Sequence, residues 1–148
     1  MIRILFVCHG NICRSPMAEF VMKQLVEDAG RTSEFVIESA ATSTEELGNS
    51  VHRGTARILD KLGIDYSRKR ARQITCAEYA DWDLIVVMDQ ANVRNARRMF
   101  GGDPASKIHK LMAYTGADRD VADPWYTGDF ETTYADVDAG CRALLSTL

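Results

Sequence analysis

Short apolar runs alternate with helical patterns along the whole chain, and this alternation limits the chain to few folds. The first run, residues 2–7, is rich in Ile, Leu, Phe and Val, as in a buried strand. Further runs lie at residues 35–39, 84–88 and 107–111, and helical patterns fall at residues 15–29, 51–62, 76–80, 91–100 and 132–148. This order is typical of an α/β protein with a parallel sheet. A binding site is expected in the loops after the runs, because the carboxyl ends of parallel strands share one edge.

The size and charge of the chain limit its function classes. At 148 residues and 16.5 kDa, the sequence is expected to form one domain over residues 1–148. Its net charge of −3 and pI near 5.6 disfavour a general nucleic-acid binder, which would be basic. No apolar run approaches the roughly 18 residues of a membrane span, and residues 4–7 are too few for a signal peptide core. We therefore expect a cytoplasmic protein without a membrane partner, its four cysteines present as thiols.

The polar loop of residues 8–15, Cys-His-Gly-Asn-Ile-Cys-Arg-Ser, is the most informative segment. It joins the first strand to the first helix, with Ser15 predicted as the helix cap and Pro16 as the first helical residue. Such a loop directs several backbone N–H groups at one point, where the positive helix end favours an oxyanion. Gly10 permits backbone angles that a side chain would forbid. The loop therefore predicts a site for a tetrahedral oxyanion such as phosphate.

Two side chains of this loop indicate a reaction. Cys8 lies in the same positive field, which favours the nucleophilic thiolate. Arg14, six residues later, can hold two phosphate oxygens with its guanidinium fork. This spacing alone is a weak pattern, because a buried cysteine beside an exposed arginine produces it too. The strand before the loop, the glycine within it and the helix after it favour displacement at phosphorus. A nucleotide-binding loop is disfavoured, since no Gly-Lys-Ser/Thr triplet occurs.

The loop is part of a longer motif, residues 7–19, Val-Cys-His-Gly-Asn-Ile-Cys-Arg-Ser-Pro-Met-Ala-Glu. Further segments accompany it in order at residues 39–43, 71–74, 88–89 and 123–126. Together they resemble the low-molecular-weight protein tyrosine phosphatases over essentially the whole chain. The resemblance implies a four-stranded parallel sheet flanked by helices on both faces, a phosphatase I-like (Rossmann-like) fold. It also implies hydrolysis of phosphotyrosine and aryl phosphate monoesters through a cysteinyl phosphate, with no metal and no cofactor.

Asp123 is the expected general acid and base. A phenolate is a poor leaving group, since phenol has a pKa of about 10, so protonation assists its departure. Asp123 precedes Pro124, which keeps it extended, in the segment where the resemblance places the family's acid. Without the phosphate loop, a plain Asp-Pro turn would be the better explanation. The neighbouring acids are expected to be solvated loop residues; they are Asp118, Asp120 and Asp129.

The other candidate site residues are expected to bind phosphate or substrate around Cys8, Arg14 and Asp123. They are His9, Gly10, Asn11, Ile12, Cys13, Ser15, Glu45, Trp125 and Tyr126. Ser15 is expected to donate to the Cys8 sulfur, and the family pattern implies that Asn11 contacts Ser39. In the family, cysteines at the positions of Cys8 and Cys13 form a reversible, protective disulfide. The alternatives are turn and cap roles for Asn11 and Ser15, and simple packing for Cys13.

The cleft walls and the basic run at residues 68–70 depart from the family's usual pattern. By resemblance the walls are residues 42–47 and 125–126, with His9 at the rim. Several relatives have an aromatic residue where Glu45 stands, so this wall is expected to be acidic, while Trp125 either stacks on a phenyl ring or simply packs. Many relatives have His where Lys69 stands, so the family's supporting hydrogen bond is not carried over. The basic run, with Arg72, is expected to be a solvated face.

Three other functions are weighed against phosphotyrosine hydrolysis. An arsenate reductase on the same scaffold needs a relay of further cysteines, but Cys76 and Cys141 are far apart in sequence. Protein-arginine phosphatases tend to have Thr where this chain has Ile12, whose apolar side chain suits a phenyl ring. A non-catalytic phosphopeptide-binding module would lack the nucleophile, the arginine or the acid. The expected partner is therefore a phosphotyrosine protein or small aryl phosphate, with inorganic phosphate as product and a monomeric enzyme.

Overall fold

The computed structural model describes all 148 residues, and strands alternate with helices along the chain. Four strands are present: β1 (Ile2–Cys8), β2 (Phe35–Ala41), β3 (Leu84–Val87) and β4 (Ile108–Lys110). Five α-helices accompany them: α1 (Arg14–Asp28), α2 (Arg53–Lys61), α3 (Gln90–Phe100), α4 (Pro124–Thr127) and α5 (Phe130–Ser146). Short 3₁₀ segments lie at Thr32–Glu34, Cys76–Asp81 and Leu111–Thr115. None of the helices is both long enough and apolar enough to span a bilayer.

The four strands form one parallel sheet, as predicted, and their order in it is β2-β1-β3-β4. β1 pairs with β2 from Ile2 opposite Phe35 to Cys8 opposite Ala41, so both strands end at the same edge. β1 also pairs with β3, and the chain order reverses between these two strands. The loops that leave a parallel sheet at such a reversal diverge and open a crevice. The phosphate loop after β1 and the loop after β3 border this crevice.

Side chains of β1 alternate between two hydrophobic layers, because successive residues of a strand point to opposite faces. Ile4 and Phe6 pack in the larger layer with residues of α1, α2 and α5. Leu5 and Val7 pack in the other layer with Ala96 and Phe100 of α3 and with the 3₁₀ segment near Trp82. Helices therefore cover both faces of the sheet, which confirms the predicted architecture. The two layers fix β1 rigidly, and Cys8 lies at its carboxyl end.

The first turn of α1 differs from the prediction in a way that matters for function. Ser15 is not the N-cap: α1 begins at Arg14, and the cap position belongs to Cys13, whose side chain makes no capping hydrogen bond. Pro16 is accordingly the third helical residue rather than the first, and still lies where N–H groups have no partner within the helix. The Ser15 hydroxyl contacts the Cys8 sulfur at 3.0 Å instead. Because no side chain caps α1, its first N–H groups are left for an anion.

The remaining predicted elements are present with ends shifted by one or two residues. Three short elements were missed: the 3₁₀ segments at Thr32–Glu34 and Leu111–Thr115, and helix α4. α4 begins at Pro124, directly after Asp123, whose side chain caps it by accepting from the Trp125 N–H. The Asp-Pro pair is therefore a helix start and not a simple turn. This short helix fixes the direction of the Asp123 side chain.

Candidate active site

A cleft of about 100 Å³ opens at the carboxyl edge of the sheet, above the Cys8 sulfur. Its lining residues come from the phosphate loop, the loop after β2 and the start of α4; they are Cys8, His9, Gly10, Asn11, Ile12, Cys13, Arg14, Glu45, Glu46, Asp123, Trp125 and Tyr126. Every predicted site residue except Ser15 lines this cleft, and Ser15 lies behind the sulfur. Glu46 was not predicted as a site residue, although it lies within the wall of residues 42–47 that was expected to be acidic.

The backbone of the phosphate loop turns around the sulfur of Cys8. Asn11 adopts the left-handed conformation, with φ of 60°, which Asn tolerates better than most residues. Its backbone N–H points at the Cys8 sulfur at 3.3 Å. The Ser15 oxygen lies 3.0 Å from the same sulfur and accepts from the Asn11 side-chain amide at 2.7 Å. Because Ser15 already accepts from that amide, its own O–H is free to donate to the sulfur, as a thiolate requires.

Asn11 is held in this conformation by a buried hydrogen-bond network. Its side-chain amide also donates to the Ser39 hydroxyl at 2.9 Å, which is the contact that the family pattern implied. Its side-chain oxygen accepts from the backbone N–H of Arg72 at 3.2 Å. The Ser39 hydroxyl donates in turn to Glu19 at 2.6 Å. A strained loop residue with every polar side-chain atom bonded is fixed by its surroundings.

Lys69 anchors this network from outside, contrary to prediction. Its ammonium donates to the Ser39 carbonyl at 2.7 Å and lies 3.6 Å from Glu19. Burial lowers the pKa of Lys69, and the nearby Glu19 carboxylate offsets only part of this. Lysine therefore provides a support for the loop at a position where the resemblance gave none. The prediction of a solvated basic face holds for Arg68 and fails for Lys69 and for Arg72, which pairs with Glu38 and Glu78.

Arg14 is the most constrained charged side chain of the site, with 3% of it exposed. One guanidinium nitrogen, Nη1, donates to Asp89 at 2.7 Å and to the Val121 carbonyl at 3.0 Å. The other, Nη2, lies 3.4 Å from an Asp123 oxygen. Burial by itself lowers the pKa of Arg14. The combined effect of Cys8, Asp89 and Asp123, which raise the pKa, is larger, so the net pKa lies above its usual value. Arg14 is thus a fixed cation at the cleft, and the long contact with Asp123 is the only one made by its Nε and Nη2 edge.

Asp89, to which the sequence analysis assigned no role, holds the Arg14 guanidinium. The sequence signal was an acid directly after a buried strand, at the sheet edge where sites form. One Asp89 oxygen accepts from the Asn92 N–H at 2.8 Å and caps α3, and the other accepts from Arg14. The cap fixes the carboxylate, and the carboxylate fixes the guanidinium. Asp89 therefore acts on the site through Arg14.

Asp123 lines the cleft, and the three rival acids do not. One of its oxygens accepts from the Trp125 N–H at 3.1 Å, which leaves the other toward Arg14 and the cleft. Asp118 and Asp120 pair with Lys110 at 3.0 and 3.2 Å, and Asp129 caps α5. Of the four acids, only Asp123 can reach a leaving group in the cleft.

The rim of the cleft carries charge and aromatic surface. His9 pairs with Glu45 at 3.0 Å across its mouth, and both side chains are largely exposed. Trp125 and Tyr126 are 57% and 84% exposed, respectively, so their rings are available to a ligand. Ile12 is nearly buried and lines the floor of the cleft. The rim can therefore contact whatever carries the phosphate.

All four cysteines are free thiols, and their surroundings differ. Burial, followed by the proximity of Cys8, raises the pKa of Cys13 to about 12, so Cys13 stays protonated at neutral pH. Burial raises the pKa of Cys141 further still. Cys76 is exposed on the far 3₁₀ segment, and neither Cys76 nor Cys141 lines the cleft.

Comparisons with known proteins agree with this geometry. Residues 3–148 match the family profile described as low molecular weight phosphotyrosine protein phosphatase. The low molecular weight protein-tyrosine-phosphatase YfkJ of Bacillus subtilis is 39% identical over 100% of this chain and 96% of its own. Its crystal structure superposes with a TM-score of 0.95, covering 99% of this chain and 94% of that one.

Two further solved structures are similar over nearly the full length. The low molecular weight protein tyrosine phosphatase SP-PTP of Streptococcus pyogenes is 46% identical, with a TM-score of 0.89 over 100% of this chain and 93% of its own. A Drosophila arginine phosphatase is 26% identical, with a TM-score of 0.89 over 99% of this chain and 97% of its own.

Proposed function

The chain belongs to the low-molecular-weight phosphotyrosine protein phosphatase family, and we propose that Cys8, Arg14 and Asp123 perform its reaction. The family consists of hydrolases that act on phosphotyrosine substrates and release phosphate. The observation that carries the residue assignment is the Cys8 sulfur at the base of the cleft, approached by the Asn11 N–H and the Ser15 hydroxyl. These two groups can stabilise a thiolate, and the fixed Arg14 lines the cleft where a phosphoryl group would lie.

In the first step the Cys8 thiolate attacks phosphorus in line with the leaving oxygen. The S–P bond forms, the P–O bond to the phenol breaks, and Asp123 donates its proton to the departing oxygen. The Nε and Nη2 edge of Arg14 and the loop N–H groups bind the non-bridging phosphate oxygens, where charge accumulates. These groups are already in position before substrate binds, so they need little reorganisation in the transition state.

In the second step water hydrolyses the cysteinyl phosphate. The Asp123 carboxylate takes a proton from the water while the P–O bond forms and the S–P bond breaks. The Ser15 hydroxyl donates to the departing Cys8 sulfur and stabilises the returning thiolate. Inorganic phosphate leaves, and the enzyme is restored with a protonated Asp123.

Phosphotyrosine proteins and small aryl phosphates are the proposed substrates of this chain. The apolar side chain of Ile12 lies against the cleft, and the exposed Trp125 ring can stack on a phenyl group. A phosphoarginine substrate would present a charged guanidinium to the same apolar floor, which is the less favourable contact. Arsenate reduction is disfavoured because neither Cys76 nor Cys141 lies at the cleft to receive a disulfide.

We also propose a reversible redox role for Cys13 and a cytoplasmic, monomeric enzyme. Cys13 lies within the same loop as Cys8, so it can capture an oxidised Cys8 as a disulfide. Its raised pKa keeps it a thiol until then. A nucleophilic thiol works only while reduced, which a cytoplasmic location favours. One copy of the chain supplies every residue of the cleft, so a second copy is not needed for the reaction.

The proposal is tested by hydrolysis of three substrates in the presence of EDTA: p-nitrophenyl phosphate, a phosphotyrosine peptide and the matched phosphoarginine peptide. We expect the first two to be hydrolysed, and kcat/KM for phosphoarginine to be lower by at least tenfold, on the order of a 1.4 kcal/mol preference. A preference for phosphoarginine would overturn the substrate assignment. Binding of the phosphotyrosine peptide without hydrolysis would identify a binding module instead.

A further inference from the structure

A second groove of about 330 Å³ lies beside the active-site cleft, and Trp125 forms the wall that the two share. Its other sides come from the start of α2 and from Phe130 of α5. A side chain next to phosphotyrosine in a bound substrate would meet this groove on passing Trp125. The groove is therefore placed to contact the substrate without taking part in phosphate chemistry.

Two arginines of this groove have no partner. Arg53 and Arg57 lie one helical turn apart on α2, so they point along the same face. Both are exposed, and neither guanidinium forms a hydrogen bond or an ion pair. Lys61, a further turn along, pairs with Glu131 of α5 at 3.6 Å. The groove thus holds two guanidinium groups that have no partner within the protein. The planar fork of such a group matches the geometry of a carboxylate or a phosphate.

The opposite wall of the cleft has the reverse charge. Glu45 and Glu46 line it, and Glu45 already pairs with His9. The mouth of the cleft is therefore polarised, acidic on the side of the loop after β2 and basic beyond Trp125. Such a charge arrangement discriminates between the sequences that flank a phosphotyrosine.

Hydrogen bonds to the phosphate loop fix the position of the groove relative to the active-site cleft. The His52 backbone N–H donates to the Ile12 carbonyl at 2.9 Å, and the Thr55 hydroxyl donates to the Cys13 carbonyl at 3.1 Å. The His52 ring stacks on Phe130 at 5.1 Å and meets the Trp125 ring edge-on at 5.7 Å. The start of α2 is thereby fixed to both the loop that binds phosphate and the ring that separates the two pockets.

We propose that Arg53 and Arg57 form a recognition subsite for an anionic side chain close to the phosphotyrosine of the substrate. The subsite rests on the proposed phosphotyrosine phosphatase function and adds a sequence preference to it. Its ligand is a carboxylate of Asp or Glu or a second phosphoryl group, either of which a guanidinium fork binds through two hydrogen bonds. Substrates with a basic residue at that position are repelled by the same two charges.

The test compares phosphotyrosine peptides that differ only at the positions flanking phosphotyrosine, which carry Glu, Gln, Lys or phosphoserine. We expect wild type to favour the Glu peptide over the Gln peptide by about three- to tenfold in kcat/KM, the range for one or two exposed ion pairs. The difference should lie in KM. The phosphoserine arm distinguishes the two ligands: a gain there alone identifies phosphate, and a gain with Glu shows that a carboxylate suffices.

The double variant Arg53→Gln/Arg57→Gln should bring the Glu-to-Gln ratio to about one. The matched control is Arg94→Gln/Arg98→Gln, which removes two exposed arginines at the same spacing on α3 that line neither pocket. This control should keep the wild-type ratio. The charge reversal Arg53→Glu/Arg57→Glu gives an independent test, because it should favour the Lys peptide over the Glu peptide even if the Gln variant folds poorly.

Three results would overturn the subsite: no preference in wild type for either the Glu or the phosphoserine peptide, an equal loss of preference in the α3 control, or no reversal in Arg53→Glu/Arg57→Glu. The failure of the underlying function is distinct, since wild type would then hydrolyse none of the phosphotyrosine peptides.

Discussion

The phosphate loop (residues 8–15) and the segment that carries Asp123 (residues 123–126, here called the acid loop) line the same cleft. The two differ in how far they are buried and how firmly they are held. Cys8, Asn11 and Arg14 are almost fully buried, and the Asn11 and Arg14 side chains are hydrogen-bonded several times. Trp125 and Tyr126 are exposed. Asp123 is held by one backbone N–H and a longer contact with Arg14. The phosphate loop is therefore held rigidly, whereas the segment that carries Asp123 is free to adapt to different substrates.

Physical chemistry explains this division. Stabilising the charge on a transferring phosphoryl group requires donors that are fixed in advance, because reorganisation during the reaction would cost energy. Delivering a proton to varied phenols and contacting varied substrates requires an accessible surface, as exposed loops provide. Changes in the buried loop should therefore affect every substrate, and changes in the exposed loop should depend on the substrate.

The largest effect is expected for Cys8→Ser. The hydroxyl ionises far less readily than the thiol, so turnover of p-nitrophenyl phosphate should fall below about 10⁻⁴ of wild type. The loop N–H groups and Arg14 remain, so the variant should still bind inorganic phosphate by calorimetry. Retention of more than a trace of activity would show that Cys8 is not the nucleophile.

Arg14→Lys should lower kcat by about 10²–10³-fold for every substrate, as the loss of one preorganised charge donor does. A lysine ammonium is a point charge and cannot reproduce the two-point contact of a guanidinium. Steady-state kinetics on p-nitrophenyl phosphate and on a phosphotyrosine peptide check this, with the exposed Arg98→Lys as control. Near-normal kcat in Arg14→Lys would remove this residue from the site.

Asp123→Asn should separate substrates where Arg14→Lys does not. Loss of a positioned acid should slow phosphotyrosine hydrolysis by about 10²–10⁴-fold, and less for aryl phosphates whose phenols are more acidic. The limb of the pH profile that reports a protonated acid should disappear. The measurement is kcat/KM across a series of leaving groups, with Asn variants of the neighbouring acids Asp118, Asp120 and Asp129 as controls. A wild-type slope in Asp123→Asn, or a new slope in a control, would place the acid elsewhere.

Lys69→Met tests whether the buried network reaches the reaction. Removing the ammonium breaks its bond to the Ser39 carbonyl, and Ser39 holds Asn11. We expect kcat to fall by about three- to tenfold, the cost of roughly one hydrogen bond, with KM little changed. The matched control is Arg68→Met, since Arg68 is exposed and unpaired. Equal effects in both variants would mean that Lys69 contributes only general surface charge.

Cys13→Ser should have the smallest effect on the reduced enzyme, within about threefold of wild type, because the loop backbone is retained. After brief treatment with peroxide, wild type should regain activity with added thiol, whereas the variant should not, because Cys8 then oxidises further. Recovery of activity is measured after equal inactivation of both proteins. Equal recovery would show that Cys13 does not protect the nucleophile.

The sequence predicted the parts of the site that are local in the chain. The hydrophobic pattern of residues 2–29 by itself predicts the strand and the helix. Cys8 and Arg14 both lie in the short loop between them. Contacts between distant loops had no such signal. Asp89 lies 75 residues from Arg14, and Lys69 lies 30 from Ser39. Which distant polar groups meet is decided by how the loops fold over one another.

The basic run at residues 68–70, with Arg72, shows the limit most clearly. These four residues are alike in charge, and a charge run is usually solvated. In the structure Arg68 is exposed while Lys69 next to it is buried against Ser39 and Glu19. The first turn of α1 shows the same limit, since Ser15 matches a helix cap in sequence but contacts the nucleophile instead. Local patterns cannot distinguish these roles, because the partner comes from elsewhere in the fold.

We expect the buried loop to form the covalent bond to phosphorus and the exposed loop only to move the proton. This division is tested by quenching the enzyme with denaturant during turnover of a radiolabelled phosphotyrosine peptide and locating the label by peptide mapping. One phosphoryl group is expected on Cys8 of the wild type, and none in Cys8→Ser. Label on any other residue, or a burst of phenol release with no phosphoenzyme, would contradict it.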